Sequence, residues 1–137
     1  MPVARYLVDT SAWIRYPESE VGARLDELMD AGTVVSCGIV ELQLLGSITD
    51  SAVYAKVAGL RRASVEVLEM TEAHFRRALE VQGLLVERGQ FGVTWTALIV
   101  AAVAERCGVV VLHCDRWFEV IGGMTEQETE LLTACTH

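Results

Sequence analysis

Of the eleven basic residues in this 137-residue chain only Lys56 is a lysine, and nineteen acidic residues leave a formal charge of −8. A protein that grips nucleic acid across a broad surface needs clustered Lys and Arg against the phosphates. That mode of binding is excluded, whereas an acidic site holding a cation is not. The four cysteines, Cys37, Cys107, Cys114 and Cys135, contain no C-x-x-C pair. Their scatter speaks against a zinc site and a disulfide framework, and predicts reduced thiols in the core. No apolar stretch approaches the ~20 residues that span a bilayer; the longest, residues 97–104, stops at Glu105-Arg106 and reads as a buried helix. The N-terminal segment has neither a long apolar run nor a small-residue cleavage site, so a cytoplasmic protein without membrane contact is expected. Repeats, low-complexity tracts and linkers rich in Pro, Gly or Ser are missing too, which leaves a domain boundary no place to fall. One domain over residues 1–137 is expected.

What the chain does have is an alternation of strand and helix signals. Residues 5–8 read as a strand. Residues 20–31 read as a helix with Val21, Leu25, Leu28 and Met29 on one face and Gly32 just past its end. Residues 33–36 form a second strand and 38–45 a short helix containing Glu41. Thr49 or Asp50 can cap a helix running toward Ala63, after which Val65, Val67 and Met70 suggest a strand. Thr71 opens a long amphipathic helix to about Arg88, stopped by Gly89. Residues 95–107 make an almost wholly apolar helix ended by Gly108, and 109–112 are an apolar run, mostly β-branched, of the kind found in a parallel strand covered on both faces. This order predicts an α/β fold, a doubly wound parallel sheet with helices on each side.

Asp9 closes the first strand and is followed by Thr10-Ser11-Ala12-Trp13. The carboxyl edge of a parallel sheet is where open α/β folds place their ligands. A carboxylate with two hydroxyls there suits Mg²⁺ or Mn²⁺ better than zinc, although capping the next helix accounts for such an Asp equally well. Asp115, in His113-Cys114-Asp115, lies at the end of the last predicted strand, and Glu41 sits on the short helix after the second. Three carboxylates gathered at one edge repel one another unless a cation sits between them, so a metal pocket is expected over a merely solvated acidic rim. His113 reads as structural.

At this point the chain resembles a known family. Residues 6–12 (YLVDTSA), 40–42 (VEL), 77–82 (RALEVQ) with 87–90 (ERGQ), 98–105 (LIVAAVAE), 111–116 (VLHCDR) and 118–119 (FE) are similar, in order and spacing, to PIN-domain ribonucleases. More narrowly they resemble the VapC toxins of type II toxin–antitoxin pairs. The resemblance implies a three-layer α/β/α domain around a central, mostly parallel sheet of four to five strands. It implies Mg²⁺- or Mn²⁺-dependent cleavage of structured RNA such as transfer or ribosomal RNA, a VapB-type antitoxin that places a basic side chain in the acidic pocket, and a homodimer. Asp9, Glu41 and Asp115 match the first, second and last acids, with Thr10 and Ser11 as supporting hydroxyls. Trp13, Ile14, Leu42, Leu44 and Leu45 are candidates for an antitoxin groove, with core packing as the alternative.

Two positions depart from the family pattern. The third acid precedes the Leu-Ile of the buried helix, and here that position is Ala97; a further Asp is often found where this chain has Trp117. Loss of one ligand charge predicts a weakened metal and impaired activity, whether the substitution is natural or engineered. A shifted alignment, with Thr94 or Thr96 as a poorer oxygen donor, is the alternative. A second reading is an inactive PIN module that only binds antitoxin or RNA. A receiver-like signalling domain also gathers Asp at strand ends, but needs a Lys at the end of a late strand, where Lys56 does not lie.

Overall fold

A computed structural model describes residues 3–136. The elements run β1 (Tyr6–Val8), α1 (Thr10–Trp13), α2 (Ser19–Asp30), β2 (Val34–Cys37), α3 (Gly38–Leu45), α4 (Ser51–Ser64), β3 (Glu66–Leu68), α5 (Glu72–Glu87), α6 (Trp95–Cys107), β4 (Val110–His113), α7 (Arg116–Gly122), β5 (Thr129–Leu131) and a 3₁₀ turn at Thr133–Cys135. The strands form one sheet in the order β3-β2-β1-β4-β5, and every pairing is parallel. The chain lays β2 and β3 outward on one side of β1, then returns to lay β4 and β5 on the other. The pairing of β1 with β4 is therefore a topological switch point, where the carboxyl edge opens a crevice.

Successive strand residues point to opposite faces, and the core divides accordingly. Leu7, Val35 and Val111 pack with α3, α5, α6 and α7. Val8, Val34 and Leu112 pack with α1 and α2 on the other side. The result is the three-layer α/β/α arrangement expected. Helix α5 buries His74, Ala78, Val81 and Leu85, a spacing of four and three residues that keeps one stripe inward. Helix α6 touches α3, α5, α7 and β4, and its central stretch, residues 97–104, is buried throughout. It ends at Gly108, whose φ of 66° lies in the left-handed region that a side chain would strain. Among the described residues no helix is long and apolar enough to cross a membrane.

The cysteine expectation is corrected. Cys114 and Cys135 form a disulfide, their Cα atoms 5.6 Å apart, because β5 runs beside β4 and the 3₁₀ turn folds the tail back onto the end of β4. Of the four, only Cys37 is both free and buried; Cys107 is free and exposed. Two short elements, α7 and β5, have no counterpart in the sequence reading. Strand β5 is three residues with Glu130 at its centre, too short and too polar to show a pattern; its carboxylate is held by Arg24 of α2 at 2.9 and 3.0 Å.

The layering predicts unequal costs along α5. Leu85 is fully buried and Leu79 is 66% exposed, so Leu85→Ala should lose about 2–5 kcal/mol and Leu79→Ala no more than about 0.5 kcal/mol. Urea denaturation of both variants checks this, and equal losses would mean that α5 presents a different face to the sheet.

Candidate active site

The parallel register brings Val8 opposite Leu112, and the Asp9 N–H donates to the Leu112 carbonyl at 3.0 Å. Asp9 therefore leaves the sheet beside the end of β4, two residues before Asp115. Each carboxylate caps the short helix that follows it. Asp9 Oδ2 accepts from the Ser11 N–H at 2.9 Å, and Asp115 Oδ1 accepts from the Trp117 N–H at 3.0 Å. In each case the other oxygen has no protein donor among the described residues. Capping and ligand roles are thus compatible in one side chain.

Both carboxylates line a cavity of about 270 Å³ together with Thr10, Ser11, Gln43, Thr94, Thr96, Ala97 and Phe118. The Thr10 hydroxyl donates to Gln43 Oε1 at 2.8 Å. The Ser11 hydroxyl accepts from the Cys114 N–H at 2.9 Å, tying α1 to the turn that carries Asp115. Thr94 caps α6 by accepting from the Ala97 N–H at 3.4 Å. Position 97 is thus the third residue of α6 and lines the same cavity as the two acids while packing in the core. The threonines offered as alternative donors, Thr94 and Thr96, line the same cavity.

Glu41 is placed differently. It is absent from the lining and is held by Arg61 of α4 through two bonds, 2.7 and 2.8 Å, and by the Ser36 hydroxyl at 2.6 Å. The Arg61 guanidinium also lies 4.6 Å from the centre of the Trp13 ring. Burial pushes the Glu41 carboxyl up, but the bonds from Arg61 and Ser36 outweigh it and hold the group below its ordinary value. Of the three expected acids the structure brings two together, and among the described residues no group of three or more His, Cys, Asp or Glu side chains could hold a metal ion. The donors that do converge are all oxygens, two of them carboxylates. That set fits a hard divalent cation in kind, and two of the four acids that the family pattern implies are missing from it: Glu41 is held by Arg61 and position 97 is an alanine.

Several further placements bear on the expectations. Trp117 packs against the core and beneath the Arg116 guanidinium, outside the cavity lining. His113 is fully buried. Of the groove candidates, Ile14 and Leu42 are exposed, while Trp13 and Leu44 pack partly against the core. Arg61 had no signal in the sequence as a site residue: it lies within the helix predicted to run toward Ala63, and only the fold carries it to Glu41. Gln43 was missed because a short apolar helix does not reveal which of its polar residues faces the sheet edge.

Comparison with known proteins agrees with this architecture. The PIN domain model matches residues 6–124. Ribonuclease VapC21 of Mycobacterium tuberculosis is 35% identical over 131 residues, covering 95% of each chain. The 2.2 Å resolution structure of VapBC-1 from nontypeable Haemophilus influenzae superposes with a TM-score of 0.74 at 15% identity, covering 93% of this chain and 98% of that one. That of VapBC-5 from M. tuberculosis, a member of the VapBC family of toxin–antitoxin systems, does so with a TM-score of 0.63 at 25% identity, covering 96% and 98%. Five parallel strands between two helical layers, with strand-end acids at the switch point and a sequence match over nearly its whole length, place this chain in the PIN-domain family, in its VapC branch.

Proposed function

We propose that this chain is the toxin of a VapBC-type pair, built as a metal-dependent endoribonuclease for structured RNA and impaired at position 97. The observation that carries the reading is the joint lining of one sheet-edge cavity by Asp9, Asp115 and Ala97. Its curated relative VapC21 is named a ribonuclease, which supports RNA as the substrate class. Asp9 and Asp115 would hold Mg²⁺ or Mn²⁺ through the oxygens their caps leave free, with Thr10 or Ser11 close enough to orient water or phosphate. When bound, the cation supplies Lewis-acid stabilisation of phosphate charge and activation of a water for attack on the phosphodiester.

The rest of the chemistry belongs to the side chains. Asp9 and Asp115 are fixed by their capping bonds, so little reorganisation accompanies ligand binding. Ala97 offers a methyl group where a carboxylate would complete the donor set. Glu41 is withheld by Arg61, and serves as a ligand only if that pair opens. The second reading, a module that binds without cleaving, is favoured by the same methyl group.

The partner in this proposal is a VapB-type antitoxin, supported by the VapBC complexes of the same fold. The net charge of −8 would draw a basic antitoxin arm toward the acidic edge. A homodimer belongs to the same proposal. The exposed side chains Phe75, Leu79 and Trp95 flank an apolar groove of about 250 Å³ along α5 and α6, a surface of suitable character for it.

Two experiments test the reading. In calorimetric titration with Mn²⁺, Ala97→Asp should tighten binding on the order of tenfold or more, and Asp9→Asn should weaken it by a similar factor. Ala97→Asp should also bring Mg²⁺-dependent cleavage across a panel of transfer and ribosomal RNAs, abolished by chelator. An Asp variant that binds metal no better and cleaves nothing would leave the fold standing and remove the nuclease assignment.

The second experiment opens the Arg61 pair. Arg61→Gln removes a cation from the acidic edge and releases Glu41, so Mn²⁺ should bind more tightly even as the denaturation midpoint falls for want of Glu41's partner. Unchanged or weaker Mn²⁺ binding by a folded Gln variant would make Glu41 a structural partner of Arg61 only.

A further inference from the structure

His113 occupies the last position of β4 with no solvent exposure, and both its ring nitrogens are engaged. The Asp115 backbone N–H donates to Nδ1 at 3.1 Å, and Nε2 lies 2.8 Å from Glu119 Oε1. The first contact decides the second. A backbone amide can only donate, so Nδ1 must be the bare acceptor and the ring proton must sit on Nε2, from which it donates to Glu119. Glu119 is fixed in turn by the Thr129 hydroxyl, which donates to the same oxygen at 2.7 Å. The Phe118 ring packs at 5.1 Å between centroids.

This chain of contacts ends on the turn that aims a site carboxylate. The Asp115 side chain caps α7 through Oδ1 and leaves its other oxygen free, and the backbone bond to His113 ties the residue to the end of β4. On the other side the Ser11 hydroxyl holds the preceding amide, that of Cys114. Successive N–H groups of the turn are thus pinned by two side chains, one from α1 and one from β4 itself.

We propose that His113 is a positioning residue for Asp115: its Nδ1 anchors the Asp115 amide, and Thr129 and Glu119 of the β5 and α7 edge lock the ring in the tautomer that makes Nδ1 an acceptor. The proposal rests on Asp115 being a metal ligand, as argued above. Outer contacts that orient a ligand change metal affinity by about 10–100-fold when removed, so His113 should govern Mn²⁺ binding although it touches neither metal nor RNA.

The test uses the full chain with Mn²⁺ as probe and compares His113→Asn, His113→Gln and Asp115→Asn. Asn carries an acceptor at the depth of Nδ1 but cannot reach Glu119, whereas Gln reaches Glu119 and carries no acceptor at the depth of Nδ1. Asn at 113 should keep Mn²⁺ affinity near that of the parent, and Gln should lose about tenfold or more. A merely structural histidine would lose affinity in neither, or equally in both in step with lost thermal stability, and either pattern overturns the proposal. Long-range ¹⁵N–¹H correlation of the unmutated, metal-free chain reads the tautomer without any variant. A protonated Nε2 with bare Nδ1 is expected, and a proton on Nδ1 overturns the proposal. Asp115→Asn separates the two layers of argument. If it leaves Mn²⁺ binding unchanged, the metal-site reading fails even where the tautomer is as expected.

Discussion

The pairing of β1 with β4 is the constraint on which the site depends. Neither strand is long: β1 is three residues and β4 four, and their parallel register sets Val8 against Leu112. A slip of one residue would turn Leu7, Val8, Val111 and Leu112 to the wrong faces and break both halves of the core at once. Register is therefore fixed by burial, and the fixed register delivers Asp9 and Asp115 to one edge. The bond from the Asp9 amide to the Leu112 carbonyl continues the ladder one step past β1, so the first acid is still part of the sheet when its side chain leaves for the cavity.

Helix α6 closes the third wall. Its residues 97–104 are buried, with α3, α5, α7 and β4 packed against the helix, which favours apolar side chains along that stretch. Position 97 is the exception in what it can accept. It is the third residue after the Thr94 cap, in the first turn, where free N–H groups and the helix dipole favour a negative charge by about 0.3–1 kcal/mol. Ala97 borders both the cavity and the core. The apolar run that reads as a buried helix thus begins one residue too early on hydropathy alone: Ala97 belongs to the site by geometry and to the core by chemistry.

Much of this was legible because the sequence carries strong punctuation. Asp50 and Thr71 cap helices α4 and α5, and Gly32, Gly89 and Gly108 take positive φ just past α2, α5 and α6, where backbone chemistry demands it. The unbroken run at 109–112 could only be a strand covered on both faces. The elements missed are short ones held by distant contacts. Strand β5 depends on β4 for pairing and on Arg24 for its charge; the Cys114–Cys135 bridge depends on β5 bringing the tail back. Arg61 shows the same limit at the site. A motif of acids says where carboxylates cluster, but the cation that claims one of them comes from a helix whose own sequence gives no hint of its neighbour. Likewise a strand-end histidine reads as structural, which His113 is, yet only its two partners reveal that its structural role ends on Asp115.

The acids of this site differ in how far structure and chemistry can be separated. Asp9 and Asp115 are helix caps as well as candidate ligands, so removing either loosens α1 or α7 while it removes charge, and a loss of activity in such a variant has two causes. Glu41 is bound into a partly buried pair with Arg61, and truncating it strands a guanidinium against Trp13. Position 97 carries no such second duty: the Thr94 cap needs only its backbone N–H, and a methyl group fills the wall without strain. Under the function proposed above, an alanine at 97 removes a ligand while the Thr94 cap and the packing of α6 in the core remain. On that proposal the sheet, the caps and the acidic edge stand complete around a site that lacks its donor at position 97.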